Sequence, residues 1–392
     1  GRREGGGAAR VAVFRTVREF HFGAGAAALA GAVVRGLGRR AAVIAGGRSA
    51  RGSGALDTVE ASLHEAGVVA AVFFTPAGEP TVAGVEEARA FAREHGADVI
   101  VGVGGGSALD TAKAAAGLFF SEHPVARHFS GQAPLPPRPL PWVGVPTTAG
   151  AGAEMTPNAV LTDEETNVKK SLRDWSWLAA AALVDPLLTR SCPPRVTAFS
   201  GMDAFVQAVE SYTSRLATPL TEAVSLQAAA AVARGLLPAF RDGRDVEART
   251  AVAWGASMAG MALANARLGA VHGFAHPVGT HLGLPHGLAC AILLPAVVEY
   301  NMRAVGAKYA RLAREIGAAA ADASDEDAAA AFLEYVKKLN AALGIPARLG
   351  EAGLKPDMID DIVAQTLPSG SLAANPVDVP EEDLRALLLQ QL

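Results

Sequence analysis

After Pro193-Pro194 the chain carries almost no β-rich run, whereas before that point strand-like and helix-like segments alternate. This change of texture is the strongest limit on the fold. Short apolar runs bounded by glycine predict strands at 40–45, 68–75, 98–103 and 141–146, with helical patterns at 25–37, 56–66, 82–95 and 108–120. Strands separated by helices in this way build βαβ units on a parallel sheet. The runs lack strict alternation, as expected of strands covered on both faces. The Pro-rich stretch 123–141 reads as irregular, and 158–170 as a strand, a polar turn and a returning strand. Later, apolar residues recur at three- and four-residue spacing. This predicts amphipathic helices at 195–215, 220–234, 246–268, 286–305, 325–343 and 380–392. The expected architecture is an α/β Rossmann-like domain over residues 1–185 and an all-α domain over 186–392, with the boundary near Val184-Asp185-Pro186.

Composition narrows the function classes. The net charge is −4 and there is no basic stripe, so no nucleic-acid partner is expected. Cys192 and Cys290 are the only cysteines and form no CxxC pair, which fits a reducing cytoplasm. Small residues and charges interrupt the apolar runs, so no membrane span is expected. The opening GRREGGGAAR lacks an apolar h-region and reads as a frayed tail, not a signal peptide.

Two motifs carry chemistry. VGVGGGSALDTAK (Val101 to Lys113) leaves a predicted strand and opens a predicted helix. Glycines at Gly104, Gly105 and Gly106 would let the backbone approach an anion, and Ser107 could cap the helix and touch a phosphate. It is neither GxGxxG nor a P-loop. A tight turn without ligand is the competing reading. The second motif is VHGFAHPVGTHLGLPHG (Val271 to Gly287), which holds four of the nine histidines: His272, His276, His281 and His286. His272 and His276 are four apart and share a helical face. Two imidazoles plus a carboxylate suit Fe(II) or Zn(II), and the spacing is not that of HExxH zincins. Asp203, in SGMDA, is a candidate carboxylate, with a helix cap as the alternative.

Together with PTTAGAGAE (Pro146 to Glu154), VDPLLTRSCPPRVTAFSGMDAF (Val184 to Phe205) and AILLP with Asn301, these motifs resemble the iron-containing (group III) alcohol dehydrogenases over nearly the whole chain. The resemblance implies the dehydroquinate synthase-like fold, a cleft site between the two domains, and a homodimer. It implies that Gly104, Gly105, Gly106 and Ser107, with Asp110, Thr147, Thr148 and Lys169, serve the nicotinamide cofactor. It implies metal ligation by Asp203, His272 and His286, with His276 beside them as proton relay and His281 outside the ligand set. The activity implied is hydride transfer between NAD(P)H and a small aldehyde or ketone.

The chain departs from this pattern at several positions. The family's fourth ligand, a His four residues after the Asp, is here Gln207, which could ligate weakly, yield to water, or mark a lost metal. The maleylacetate reductase branch, which resembles the chain in plan, is held to work without metal. Such a reductase would need cations for substrate carboxylates, for which Lys169, Lys170 and Arg173 are candidates. After the strand ending near Ala45 the chain reads Gly46-Gly47-Arg48, with Arg51 following. No carboxylate stands there to repel a 2′-phosphate, and Arg48 or Arg51 could pair with one, so this stretch is a candidate cofactor contact and NADP(H) is favoured over NAD(H). In the TAGAGAE loop, Ala151 and Ala153 stand where hydroxyls are usual. A lyase of the dehydroquinate-synthase type and a non-catalytic relative are the other classes considered. Substrate-lining candidates are Val278, Thr280, His281 and Leu284.

Overall fold

The structure is a computed structural model describing residues 11–166 and 168–392, apart from the side chain of Arg48. The tail GRREGGGAAR lies outside the described residues. The strands are β1 (Glu19–Phe22), β2 (Arg40–Gly46), β3 (Val69–Thr75), β4 (Val99–Gly104), β5 (Trp142–Pro146), β6 (Asn158–Asp163), β7 (Val168–Arg173) and β8 (Ala181–Val184). The helices of this part are α1 (Ala30–Arg35), α2 (Gly47–Gly52), α3 (Ala55–Glu65), α4 (Val82–Glu94), α5 (Gly106–Gly117) and α6 (Val125–Phe129). Eight more follow: α7 (Pro194–Thr213), α8 (Pro219–Arg241), α9 (Val246–Ala266), α10 (Ala270–Leu282), α11 (His286–Glu315), α12 (Asp325–Ala342), α13 (Ile359–Thr366) and α14 (Glu381–Leu389).

Six strands form one parallel sheet in the order β1-β8-β5-β4-β2-β3, and β6 and β7 form an antiparallel hairpin. Side chains alternate across a strand, and β2 shows the consequence. Ala41, Val43 and Ala45 pack with Leu63 on one face, while Ala42 and Ile44 pack with Leu109 and Ala112 on the other. The α/β fold with a helical C-terminal part is therefore as expected.

Several local expectations need correction. β3 is an edge strand and not covered on both faces, with Val69 62% exposed. β1 and β8 were not foreseen. Each is four residues long, too short to give a hydrophobic pattern, and they become strands by pairing with each other and with β5. The helix expected at 25–37 divides into a 3-10 turn (Ala26–Leu29) and α1. α2 and α13 were missed, and α6 lies inside the stretch read as irregular. α8 continues to Arg241. α11 continues to Glu315 through a break at Val305 (φ −126°, ψ 25°), where the sequence pattern had ended the helix. By length and composition, α8 and α11 are apolar enough to cross a membrane, against the sequence expectation. Both are packed in the helical part, α8 against α7 and α9, and α11 against α12 and α7.

One buried cation joins the glycine-loop helix to the hairpin. Lys113 on α5 is fully buried and donates to Asp110 (3.1 Å), Thr156 Oγ1 (2.9 Å) and the Asn158 carbonyl (2.5 Å). The other Asp110 oxygen accepts from the Val160 N–H (2.9 Å). Burial pushes the Lys113 pKa down, and Asp110 opposes that shift. Removing one member of such a pair leaves the other without compensation. Lys113→Ala is expected to lower stability by about 3 kcal/mol, read as a shifted urea midpoint at unchanged slope.

Candidate active site

The carboxyl ends of β4 and β5 open on a cleft of about 1270 Å³ walled on its far side by α7, α9 and α10. Backbone contact closes the two parts onto each other. A Cβ on Gly150 would lie 2.7 Å from Ser200 Cβ, and one on Gly152 (φ +60°) 2.7 Å from Gly260 Cα. The TAGAG loop thus presses directly on α7 and α9.

Gly104 (φ +149°) is required sterically, because a Cβ there would sit 2.8 Å from that of Ala108 and 3.2 Å from Gly46 N. Gly46 and Gly104 therefore meet at the ends of β2 and β4. Gly105 occupies the N-cap of α5, so Ser107 is not the cap as expected. Gly106, Ser107, Asp110, Thr148 and Lys169 line the cleft. Thr147 is buried, its N–H donating to Gly104 and its hydroxyl unpartnered. Asp110 is committed to Lys113 and Val160, and Lys169 is ion-paired with Glu79. Arg51 lies over the Phe74 ring (4.1 Å). The side chain of Arg48 lies outside the described residues.

On the far wall, α7 presents Asp203, Gln207 and Glu210 at helical spacing, and α10 and α11 bring His272 and His286 to Asp203. Asp203 Oδ1 is 3.3 Å from His272 Nε2 and 3.6 Å from His286 Nε2. Glu210 Oε2 holds His272 Nδ1 at 2.6 Å, and Oε1 accepts the Val271 N–H at 2.7 Å. With Nδ1 engaged, Nε2 is the free nitrogen facing the cluster. Gln207 donates its amide to Asp203 Oδ2 (3.2 Å) and leaves Oε1 buried without a partner. Cys290, one turn beyond His286, sets Sγ 3.6 Å from His286 Nε2 and 3.8 Å from His272 Nε2. One donor atom each from Asp203, His272, His286 and Cys290 lies within 4.8 Å of the others.

These donors fit a divalent ion. Ligand bonds of about 2.0–2.3 Å at tetrahedral angles place N and O donors about 3.3 Å apart and N and S donors about 3.6 Å apart. Electrostatics agree with mutual attraction of the donors. Burial opposes charge on His272, but Cys290, Asp203 and Glu210 outweigh it and push its pKa well up. Burial likewise disfavours the Asp203 carboxylate, yet His286 and His272 hold its pKa low.

His276 lines the cleft with its ring stacked on His286 (centroids 5.0 Å apart) and Nδ1 unpartnered. Burial, then the charges of His286, Lys169 and His272, push its pKa well down, so it is a neutral imidazole. His281 stands apart from this group, bonded to the Pro277 carbonyl (2.8 Å). Among the proposed substrate-lining residues, Val278 is core, and Thr280 is exposed with its hydroxyl on the His276 carbonyl. Glu210 and Cys290 were overlooked in the sequence, although the spacings 203/207/210 and 286/290 mark single helical faces.

Two glycines bring these helices together. A Cβ on Gly287 would lie 2.0 Å from the Phe199 carbonyl oxygen, and one on Gly269 2.8 Å from Glu210 Oε1. Gly287→Ala should push α11 off α7 and lower stability by about 3 kcal/mol. Gly306→Ala on the same helix, where nothing lies within 4 Å, should be neutral or slightly stabilising. Thermal melts of the two variants compare them directly.

Known proteins share this fold. Residues 18–186 match the model of the iron-containing alcohol dehydrogenases, and 197–392 match that of the C-terminal part of the same family. The chain belongs to the iron-containing alcohol dehydrogenase family. It is 35% identical over 371 residues to the 1,3-propanediol dehydrogenase of Klebsiella pneumoniae, covering 94% of this chain and 96% of that one. Among solved structures, a 1,3-propanediol oxidoreductase superposes with a TM-score of 0.93 at 34% identity, covering 98% of this chain and 100% of that chain. An NADH-dependent butanol dehydrogenase from Thermotoga maritima superposes with a TM-score of 0.85 at 26% identity, covering 97% and 98%. As a member of the iron-containing alcohol dehydrogenases, the protein is an oxidoreductase that interconverts small alcohols and carbonyl compounds with a nicotinamide cofactor and a metal.

Proposed function

We propose that Asp203, His272, His286 and Gln207 hold one Fe(II) or Zn(II) ion and that His276 moves the proton of the reaction. The observation that carries this reading is the convergence of Asp203, His272 and His286 on one point beside the orphaned Gln207 Oε1. When bound, the metal supplies Lewis-acid polarisation of the carbonyl, and the nicotinamide supplies or accepts the hydride. Glu210 orients His272 through Nδ1. His276, neutral and facing the cleft, can take the alcohol proton in oxidation and return it in reduction. Gly104 to Ser107 with Thr147 and Thr148 bind the cofactor, where the N-terminus of α5 offers free N–H groups. Lys169 and Asp110 support that site from the hairpin and from α5.

NADP(H) is the proposed cofactor. No carboxylate ends β2, and Arg51 stands next to that end. The expected result is a higher kcat/KM with NADPH than with NADH, reduced in Arg51→Ala. We also propose a division of the chain at residue 185, a cytoplasmic location and a homodimer. The half-exposed group of Phe20, Phe22 and Trp254 at the sheet's β1 edge supports the dimer, and light scattering would measure it.

Metal stoichiometry tests the central reading. Stripped protein equilibrated anaerobically with Fe(II) or Zn(II) should retain about one ion per chain. Asp203→Ala should abolish retention, Glu210→Gln should weaken affinity about ten- to a hundredfold, and Gln207→His should strengthen it. A near-ultraviolet thiolate band in the Co(II) form would replace Gln207 by Cys290 as fourth ligand. No retention of either ion would overturn the metal site in favour of the metal-free, maleylacetate reductase-type alternative.

A further inference from the structure

Among the described residues, Arg267 is the only one other than glycine with a positive φ (62°, with ψ −165°). Glycine holds that region almost alone. The backbone is fixed there by its N–H on the Leu263 carbonyl (2.9 Å) and by Ser211 Oγ on its own carbonyl (3.1 Å). A glycine would meet the same backbone demand without strain, so the backbone does not explain an arginine. The side chain does, because it lines the cleft, with Nη1 3.2 Å from where a Cβ on Gly370 would lie.

Arg173 reaches the same wall from the end of β7. It donates to the Ala264 carbonyl, one turn before Arg267, and lies over the Trp175 ring (5.0 Å). Burial, and then the positive charge of Arg267, push its pKa down to about 10, so two like charges are held near each other. Neither arginine has a carboxylate partner among the described residues. The acids that line this cleft are engaged elsewhere: Glu79 with Lys169, Asp110 with Lys113, and Asp203 with the histidines. Lys170, a sequence candidate for binding carboxylates, also borders this cleft, with its ammonium over the Phe129 ring (4.6 Å). Two guanidiniums turned to one cavity form a fork suited to an oxyanion.

The position selects the substrate's end of the cleft. Arg267 and His272 flank the same turn, and Leu263, Leu268 and Pro277 line the cleft beside them. We propose that the substrate is a short aldehyde or ketone, or its alcohol, bearing a carboxylate, sulfonate or phosphonate a few bonds from the reacting carbon, and that Arg173 and Arg267 bind this anionic group. The inference rests on the carbonyl-reductase reading above. The same oxyanion chemistry could come from a cofactor phosphate, and the test separates the two sources.

Arg267→Gly is the informative variant, since glycine suits the backbone there. Thermal melts with inorganic phosphate, against sodium chloride at equal ionic strength, should show stabilisation of the parent protein, retained when NADPH is bound and lost in Arg267→Gly. Rates with succinic semialdehyde and butyraldehyde should give a kcat/KM ratio favouring the carboxylate substrate. That ratio should fall about ten- to a hundredfold in Arg267→Gly. No phosphate stabilisation, its loss on NADPH binding, or a ratio unchanged by the substitution would each overturn the proposal. Phosphate stabilisation with neither aldehyde reduced would support the anion site and count against the carbonyl-reductase reading.

Discussion

The bond from Glu210 to His272 Nδ1 (2.6 Å) organises the rest of the site. A buried carboxylate must be satisfied, and Glu210 is satisfied by the first turn of α10 itself, through the Val271 N–H and the His272 ring. That engagement fixes the imidazole tautomer, directs Nε2 at Asp203 and anchors the start of α10. Between the end of α9 and these contacts with Glu210 the chain passes through the positive-φ residue Arg267 and the close approach allowed at Gly269. One carboxylate thereby lies beside the histidine cluster, the start of α10 and the turn that carries a cleft guanidinium.

The second organising constraint is that a parallel sheet exposes its strand ends and the helix N-termini following them on one side. The glycine loop lies at the end of β4, where Gly104 permits contact with Gly46. The helical part supplies the opposite wall. Contact between the walls is made at two glycines of one loop, Gly150 on Ser200 of α7 and Gly152 on Gly260 of α9. Such contacts tolerate no side chain, so they hold the glycine loop and the histidine cluster at a defined separation. Catalysis by positioned groups depends on that separation.

Much of this was legible beforehand. Long periodic segments marked most of the helices, and glycine-bounded runs marked β2, β4 and β5. The glycine loop and the histidine cluster stood out because residue types costly to place at random were concentrated there. What was missed has identifiable physical causes. β1 and β8 carry too few residues to show a period and owe their form to pairing. β3 is as apolar as its neighbours, yet strand order leaves it at the edge. Glu210 and Cys290 looked like ordinary helix residues, although each sits one turn from a residue already singled out.

The sequence by itself determined the fold class, the family, the glycine loop and the histidine cluster. These follow from local periodicity and from motifs whose spacing is preserved along the chain. Only the tertiary structure decided which groups meet. It turned His281 away, committed Asp110 to Lys113 and Lys169 to Glu79, and set Cys290 against two imidazoles. It also placed Arg173 and Arg267, ninety-four positions apart in sequence (267 − 173), on one wall of the cleft. Periodicity reports the face of its own element, whereas these encounters depend on how separate elements cross, and no local pattern encodes that.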